Sequence, residues 1–490
     1  MKKIPYGTAN YEKIVKNKHY YVDKTKYIEV LENLGTYHHF LLRPRRFGKT
    51  LFLSVLEHYY DIAQKDQFNT LFKDTYIGQN PTPLRNSLPI LKFNFSLVSL
   101  EGGIKQIQQS FAQNIKNGLE EFFYKYENIL KKTKMYFEKK YSNFNTATDL
   151  IAYFISEMSM KKIGYYLLID EYDNFANNII GEYGKSHYEK ITHAGGFLRN
   201  FFAVIKGGTE KRTIERFFAT GVSPLVLSDV TSGMNMGNNI SNKTKFHSVL
   251  GFTQKEIDTL VNYYIEQKII PQKEKKIILD IMKHNYNNYS FSEKQEKIYN
   301  TDMVLYFINN YIDAEKIPNN IIDPNIRTDY GKLKFFIHES NKLNGNFSIL
   351  KEILKNKVIE GDLIDYFSIG EIINKEKFKS LLYYLGFLTI KQHVYSTNYK
   401  FEIPNNVVET LLWEYIREIV DQDFSLRIDT SFLQGQFNKM AFNGEWNDFF
   451  MYLLDKFYQA VSIKDFVFHE EGIKIFLLAY LNFTPLYTVQ

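Results

Sequence analysis

Hydrophobic and polar positions alternate between two periodicities in the first half of the chain. Short apolar runs at 37–42, 89–95, 165–169 and 217–219 predict strands, and helical patterns lie between them. The run at 165–169 is apolar throughout, as expected for a strand that is buried on both faces. Strands that alternate with helices predict a parallel sheet covered on both sides, which is the α/β fold class.

The pattern changes in the second half of the chain. From Gly251 to about residue 325 the strand signal weakens and short helical patterns dominate. A helical pattern at 375–385 stops at Gly386, and the apolar runs at 387–390 and 399–403 predict a hairpin. Two or three helices followed by a hairpin indicate a winged-helix module. The remainder of the chain is helical in pattern.

Composition narrows the chemistry without assigning it. The 490 residues are 44% hydrophobic and carry a net charge of only +6, so buried cores are expected and any basic surface must be local. The absence of cysteine excludes disulfides, iron–sulfur clusters and a cysteine nucleophile. The amino terminus lacks the apolar stretch of a signal peptide, and no run approaches the ~20 residues of a membrane span. We therefore expect a cytoplasmic protein without membrane contact.

A glycine–lysine–threonine sequence follows the first predicted strand and precedes a helical pattern. A phosphate-binding loop needs these residue types in this order. Gly48 lets the backbone approach the phosphates, Lys49 reaches the β- and γ-phosphates, and the Thr50 hydroxyl can bind Mg²⁺. The alternative is a solvated basic turn that caps a helix, and the strand–turn–helix context favours the phosphate loop.

The usual loop pattern G-x-x-x-x-G-K-[ST] has glycine where this chain has Arg43. The chain contains 51 lysines and 10 arginines, yet Arg43, Arg45 and Arg46 stand within four residues. This choice indicates a need for the planar guanidinium, which suits phosphate or carboxylate. Arg45, Arg46 and Phe47 are therefore predicted to contact the nucleotide beside the Gly-Lys-Thr sequence.

Two acids end the third predicted strand. Asp170 and Glu171 are then expected at the carboxyl edge of the sheet, where α/β proteins bind ligands. Glu171 would polarise the water that attacks the γ-phosphate, so Lys49 and Glu171 are the predicted catalytic residues. Thr50 and Asp170 are predicted to bind the metal, and Thr220 is a candidate contact of the γ-phosphate. An acidic turn and an ordinary strand-end threonine are the alternatives.

These motifs resemble the bacterial AAA-ATPase-like proteins that commonly carry a C-terminal PD-(D/E)XK nuclease-superfamily domain. The resemblance covers roughly residues 1–310 closely and rests on the motifs at 4–8, 21–25, 43–50, 168–173, 220–224, 228–233, 251–253, 286–291 and 299–300. It implies a P-loop NTPase (AAA/ASCE-like) fold, Walker A and Walker B motifs, and ATP and Mg²⁺ as cofactors. An arginine in place of the first glycine of the loop is a trait of such proteins.

The patterns and the resemblance together predict four units. An AAA-ATPase-like P-loop domain at 1–255 carries a helical insertion at about 102–162. A helical lid at 256–330, a winged-helix-like domain at 331–410 and the helical start of a nuclease-like domain at 411–490 follow.

The last unit resembles the helical entry of the family's nuclease domain at 468–476. The sequence stops where the family would supply a strand with metal-binding acids, so we expect a truncated domain. Glu470 or Glu471 alone does not make a phosphodiester-cleaving metal site. No nuclease activity is therefore expected.

Ring-forming ATPases of this class often supply an arginine to a neighbour's nucleotide after the sensor strand. This chain has no arginine between Gly221 and Ile326, which leaves Arg212, Arg216 and Arg327 as candidates. Slow basal turnover is expected for that reason.

Three functions remain open at this point. The first is a slow Mg²⁺-dependent ATPase that acts as a nucleotide-driven conformational switch. The second is a nucleotide-binding interaction scaffold that does not hydrolyse, against which Glu171 argues. The third is a DNA-acting effector of a defence or mobile-element system, which rests on association alone. A DNA or protein partner is possible in each case, and the oligomeric state stays open.

Overall fold

The computed structural model describes most of the chain. The described residues are 1–131, 134–231, 237–294, 296–327, 337–339, 342–343, 345–372, 374–423, 428–461 and 470–481.

A five-stranded parallel sheet forms the centre of the first part of the chain. Its strands are β1 (His38–Leu42), β2 (Ile90–Asn94), β3 (Tyr165–Asp170), β4 (Ile214–Gly221) and β5 (Asn238–Asn239). They lie in the order β2-β3-β4-β1-β5, and each neighbouring pair is parallel. The predicted α/β fold class, with a parallel sheet, is therefore confirmed. The two residues of β5 are too few to produce a periodicity in the sequence.

Helices surround this sheet. They are α1 (Tyr11–Lys16), α2 (Lys26–Glu32), α3 (Lys49–Tyr60), α4 (Phe68–Phe72), α5 (Tyr76–Gln79), α6 (Ile104–Lys125), α7 (Glu127–Leu130), α8 (Lys134–Tyr141), α9 (Ala147–Met160), α10 (Asn174–Tyr183), α11 (Lys185–Thr192), α12 (Phe197–Glu210) and α13 (Leu225–Thr231).

The helices expected as an insertion are part of the main core. Helix α6 packs on β2 and on α9. The ring of Phe111 in α6 lies 5.1 Å from Phe95, 5.3 Å from Phe175 and 5.1 Å from Phe201, measured between centroids. Because these partners lie on both sides of the third strand in the sequence, the insertion is fixed to the sheet rather than appended to it.

The second part of the chain is mainly helical. Its elements are α14 (Gln254–Glu266), α15 (Lys275–Tyr286), α16 (Thr301–Ala314), α17 (Pro324–Arg327), β6 (His338–Glu339), β7 (Lys342–Leu343), α18 (Gly345–Asn356), β8 (Val358–Asp362), α19 (Lys375–Leu385), β9 (Thr389–Tyr395), β10 (Asn398–Glu402), α20 (Asn406–Asp423), α21 (Thr430–Asn443), α22 (Asn447–Val461) and α23 (Glu470–Leu481).

Two groups of these elements border the sheet domain. Helices α14, α15 and α16 share a separate hydrophobic core that includes Leu260, Ile278 and Phe307. Elements α18 to β10 form a unit, here called the wing unit, whose antiparallel sheet has the order β8-β10-β9. Helix α19 has the predicted bounds, and the hairpin follows it. The assignment of the wing unit to the winged-helix class stays a prediction.

The expected start of a nuclease-like domain lies only partly within the described residues. Helix α23 begins at Glu470, and residues 468 and 469 of the expected nuclease entry lie outside the described residues. Within the described stretches, no helix has the length and apolar character needed to cross a bilayer.

Candidate phosphate-binding site

The loop at 43–48 turns the chain from β1 into α3. Gly48 precedes the first residue of α3 with a φ of +91°, a left-handed conformation that glycine adopts without strain. Among the described residues, no atom lies within 4 Å of the position that a Cβ on Gly48 would occupy. The loop therefore leaves open space at the amino terminus of a twelve-residue helix, where main-chain N–H groups favour an anion.

The side chain of Lys49 is buried beneath this loop, with 6% of its surface exposed. Its Nζ donates hydrogen bonds of 2.9 Å to the carbonyl oxygens of Arg43 and of Pro44. Burial lowers the pKa of Lys49 to about 8, while the charges of nearby Glu171 and Asp170 raise it. No carboxylate of the described residues forms an ion pair with it. The ammonium is therefore buried without a counterion in contact, which costs free energy that a bound anion would offset.

Asp170 ends β3 and is 1% exposed. Thr220, in the neighbouring strand β4, donates a hydrogen bond of 2.6 Å from its hydroxyl to Asp170 Oδ1. Strand β4 lies between β3 and β1, and Thr220 pairs in register with Leu41 of β1. The strand order thus brings Asp170 and Thr220 to the same edge as the loop that follows Leu42.

Glu171 follows β3 in a left-handed conformation with a φ of +50°, which is unfavourable for a residue with a side chain. Its Oε2 accepts a hydrogen bond of 2.5 Å from Asn174 Nδ2. Burial raises the pKa of the Glu171 carboxyl, and the ammonium of Lys49 offsets part of that rise. Backbone strain and a desolvated carboxylate at one residue are typical of a functional position.

Asp173 fixes the turn that carries these acids. Its carboxylate accepts hydrogen bonds from the main-chain N–H groups of Val222 and Ser223 and from the side chain of Asn177. The carboxylate is therefore used to join the ends of β3 and β4.

The arginines of the loop have different surroundings. The expectation that all three bind phosphate or carboxylate is wrong for Arg43, which is 1% exposed and donates to three main-chain carbonyls. Arg46 forms an ion pair of 3.0 Å with Asp302 at the start of α16. Arg45 borders the cleft described below. The role of Arg45 and Arg46 in nucleotide binding stays a prediction.

Phe47 is placed differently from the ligand contact that the sequence predicts. Its side chain is 1% exposed and packs edge-on against the rings of Tyr289 at 4.9 Å and Phe291 at 5.3 Å. Its carbonyl oxygen accepts a hydrogen bond of 3.2 Å from the Thr301 hydroxyl. The ring is therefore committed to packing, and Phe47 can touch a ligand only through its main chain.

Two cavities flank the loop. One, here called the wide cleft, is partly open to solvent and lies among the loop, Glu171, helices α15 and α16 and the wing unit; its walls include Arg45, Glu171, Ser223, Tyr286, Phe387 and Val407. The other, here called the apolar pocket, is also partly open to solvent and lies beside Gly48; its walls include Tyr20, Val22, Leu51, Phe252 and Leu305. Open space thus adjoins the loop on two sides.

Two of the three candidate arginine donors lie away from the loop. Arg216 lies in the amino-terminal part of β4 and is 7% exposed. Its guanidinium lies over the rings of Tyr37 at 5.4 Å and Tyr60 at 5.9 Å. Arg212 precedes the same end of β4. Both residues are at the amino edge of the sheet, opposite to the loop, so they are excluded as contacts of this chain's own phosphate loop. The side chain of Arg327 lies outside the described part of the chain.

Two neighbours of the site are not predicted from the sequence. Asn174, in the first turn of α10, donates a hydrogen bond to Glu171. Its place three positions after an acid is the feature of the sequence that could have indicated this contact. Asp302 is more than 250 residues from Arg46, so its position beside the loop depends on the tertiary fold.

Comparisons with known proteins give the following likenesses. Residues 5–231 match the model of a family described as a predicted AAA-ATPase. A relative from Azotobacter chroococcum mcd 1, described as an uncharacterized protein in the vnfD 5' region, is 27% identical over 260 residues, which are 53% of this chain and 45% of that protein. The match thus spans about half the length of the relative. The Walker-type ATPase PABY2304 of Pyrococcus abyssi has a TM-score of 0.44 and 12% identity, over 79% of this chain and 94% of that chain.

The surroundings of Glu171 predict how stability depends on pH. A carboxyl whose pKa is higher in the folded chain than in the unfolded chain takes up a proton on folding, so stability falls as pH rises from about 4 through the folded pKa. Glu171→Gln removes that penalty. We expect nucleotide-free Glu171→Gln to melt at a higher temperature than wild type at about pH 7.5 and the difference to disappear near pH 4.

The measurement is thermal unfolding followed by circular dichroism across this pH range. The exposed Glu182→Gln, on α10, serves as the control and should leave the wild-type pH dependence unchanged. A Glu171→Gln variant that melts below wild type at neutral pH would contradict the expectation.

Proposed function

We propose that the chain binds ATP with Mg²⁺ and hydrolyses it slowly. The premise is that it belongs, through residues 5–231, to the predicted AAA-ATPase family. The observation that carries this proposal is the buried ammonium of Lys49, which lacks an ion-pair partner among the described residues and lies at an open helix terminus. A triphosphate supplies the missing negative charge. Asp170 and Glu171 at the adjacent strand end supply the groups that hydrolysis requires.

The nucleotide would span both cavities. The β- and γ-phosphates would lie against the loop and the first turn of α3, with Lys49 exchanging its two carbonyl partners for phosphate oxygens. The base would enter the apolar pocket, whose walls include Tyr20 and Phe252, because this pocket lies beside Gly48 on the side away from Glu171. The γ-phosphate would face the wide cleft.

The residues fit a magnesium ion that arrives with the nucleotide. Mg²⁺ prefers oxygen ligands and is commonly held by one or two protein groups together with phosphates and water. Within the described residues the hydroxyl of Thr50 has no hydrogen-bond partner, and Asp170 uses one of its two oxygens to accept from Thr220. Thr50 and Asp170 would therefore hold the ion. The bound ion would neutralise charge on the β- and γ-phosphate oxygens.

Glu171 would act on the attacking water. The water oxygen would form a bond to the γ-phosphorus as the bond from that phosphorus to the ADP oxygen breaks, and Glu171 would accept the water proton. The hydrogen bond from Asn174 occupies one of the two carboxylate oxygens of Glu171 and restricts its orientation toward the water. That restriction, and the absence of a described arginine near the γ-phosphate position other than those of the loop, support slow turnover.

The wing unit gives the nucleotide a way to change the arrangement of the domains. Gly386, which ends α19 with a φ of +87°, lies directly against Pro44 of the phosphate loop. A Cβ on Gly386 would lie 2.8 Å from Pro44 Cβ. Pro44 is also one of the two residues whose carbonyls accept hydrogen bonds from Lys49. We infer that phosphate binding at Lys49 and docking of the wing unit at Pro44 are coupled, which makes the chain a nucleotide-driven switch.

The alternatives receive less support. A scaffold that does not hydrolyse would agree with the hydrogen bond that holds Glu171 on Asn174, and it is the second candidate. A DNA-acting effector would need free cations on an accessible helix of the wing unit. Two of the three lysines of helix α19 are in ion pairs, Lys377 with Glu371 and Lys379 with Glu376.

ATP binding and turnover of point variants test the proposal. Lys49→Ala removes a charge-assisted contact, so ATP affinity should fall by about 10- to 100-fold. Glu171→Gln should retain ATP affinity and lose turnover by about 100-fold or more, because it cannot accept the proton. The measurements are calorimetric titration with ATP and Mg²⁺ and the rate of phosphate release.

The exposed Lys65→Ala is the matched control for loss of a lysine and should behave as wild type. ATP binding by Lys49→Ala with wild-type affinity would overturn the binding site. Wild-type binding without measurable phosphate release, unchanged in Glu171→Gln, would favour the scaffold instead.

The switch is tested by a wedge at the wing unit. Gly386→Ala places a methyl group against Pro44 and should push the wing unit off the loop, raising the rate of ATP turnover. Gly444→Ala is the matched control, since Gly444 also ends a helix with a positive φ of +72° but has no described atom within 4 Å of its Cβ position. Both variants carry the same kind of backbone strain, of about 1 kcal/mol.

Turnover and small-angle X-ray scattering of the two variants separate strain from displacement. Faster turnover and a larger radius of gyration in Gly386→Ala alone would support the coupling. Equal behaviour of the two variants would contradict it.

A further inference from the structure

Arg43 is the most deeply buried cation beside the phosphate loop, with 1% of its surface exposed. Its Nη1 donates to the carbonyls of Leu42 at 3.0 Å and Ser241 at 2.6 Å, and its Nη2 donates to the carbonyl of Phe246 at 2.9 Å. These acceptors belong to the end of β1 and to the segment after β5. One guanidinium thus joins two separate parts of the chain at the base of the loop.

The same guanidinium also contacts the segment between α15 and α16. Its central carbon lies 4.0 Å from the centroid of the Phe291 ring. Phe47, at the other end of the loop, packs edge-on against that ring at 5.3 Å. Both ends of the phosphate loop therefore rest on Phe291, and the sequence motif at 286–291 acquires a structural role.

Burying the charge of Arg43 costs free energy, so the arginine must make contacts that the glycine of the usual loop pattern could not make. Among the described residues no carboxylate pairs with Arg43, its Nε has no hydrogen-bond partner, and burial lowers its pKa to about 10. Its φ is not positive, so the backbone at this position does not need glycine. The planar fork reaches three carbonyls and stacks on a ring, a combination that lysine cannot reproduce.

We propose that Arg43 is a positioning residue that sets the path of the phosphate loop by tying it to Ser241, Phe246 and Phe291. Its own carbonyl, with that of Pro44, holds Lys49, so displacement of Arg43 displaces the catalytic lysine. This inference rests on the proposed ATP binding. It carries an unusual consequence: Arg43→Gly restores the usual pattern G-x-x-x-x-G-K-T and yet impairs the site.

The test measures ATP affinity and melting temperature of the full chain for Arg43→Gly, Arg43→Lys and Phe291→Leu. We expect Arg43→Gly to weaken ATP binding by at least about tenfold at temperatures well below its melting transition. Arg43→Lys should also bind more weakly than wild type, because it keeps the charge and loses the three-carbonyl bridge. Phe291→Leu should also bind ATP more weakly than wild type. The double variant Arg43→Gly/Phe291→Leu should bind ATP no more weakly than Arg43→Gly alone, because the two residues act through one contact.

A merely structural role would lower the melting temperature without moving the affinity of the folded protein. Phe154→Ala, which removes a buried ring packed against Tyr165 at the amino end of β3, provides a destabilised control that should keep wild-type ATP affinity. Arg43→Gly or Arg43→Lys with wild-type affinity would overturn the proposal. If Arg43→Gly fails to fold, the ATP affinities of Arg43→Lys and Phe291→Leu test the proposal instead. Failure of the wild type itself to bind ATP would instead refute the proposed function.

Discussion

A buried ammonium group whose hydrogen-bond partners among the described residues are two main-chain carbonyls is the constraint on which this site depends. Lys49 is enclosed by the loop that precedes it, and the acids at the end of β3 are near enough to influence its pKa without forming an ion pair. An uncompensated charge in such a place lowers stability, and a folded protein retains it where a ligand completes it. The neighbouring backbone strain at Glu171 has the same character, because it also costs stability and is typical of a functional position.

The loop is also the place where the parts of the chain meet. Pro44 contacts the wing unit at Gly386, Phe47 packs on Tyr289 between α15 and α16, and Arg46 pairs with Asp302 of α16. A ligand that moves the loop must therefore change contacts with both the region from α15 to α16 and the wing unit. This geometry gives the proposed switch a physical basis, since a packed interface has few intermediate arrangements.

Local features of the fold and site could be predicted from the sequence. Strand β3 was predictable because its residues are continuously apolar, and the loop was predictable because Gly48, Lys49 and Thr50 are adjacent in the chain. Features made by distant residues could not be predicted. The partners of Arg43 are about 200 and 250 residues away, so its guanidinium looked like a phosphate ligand and proved to be a structural bridge. The burial of the Phe47 side chain could not be predicted either, because it packs on Phe291, in the same distant segment.

The most direct test of the account is a crystal structure of the full chain with Mg²⁺ and a non-hydrolysable ATP analogue. The account predicts that Lys49 Nζ leaves the carbonyls of Arg43 and Pro44 and contacts the β- and γ-phosphates, with Thr50 and Asp170 at the metal. A nucleotide bound elsewhere, with Lys49 still on those two carbonyls, would contradict it.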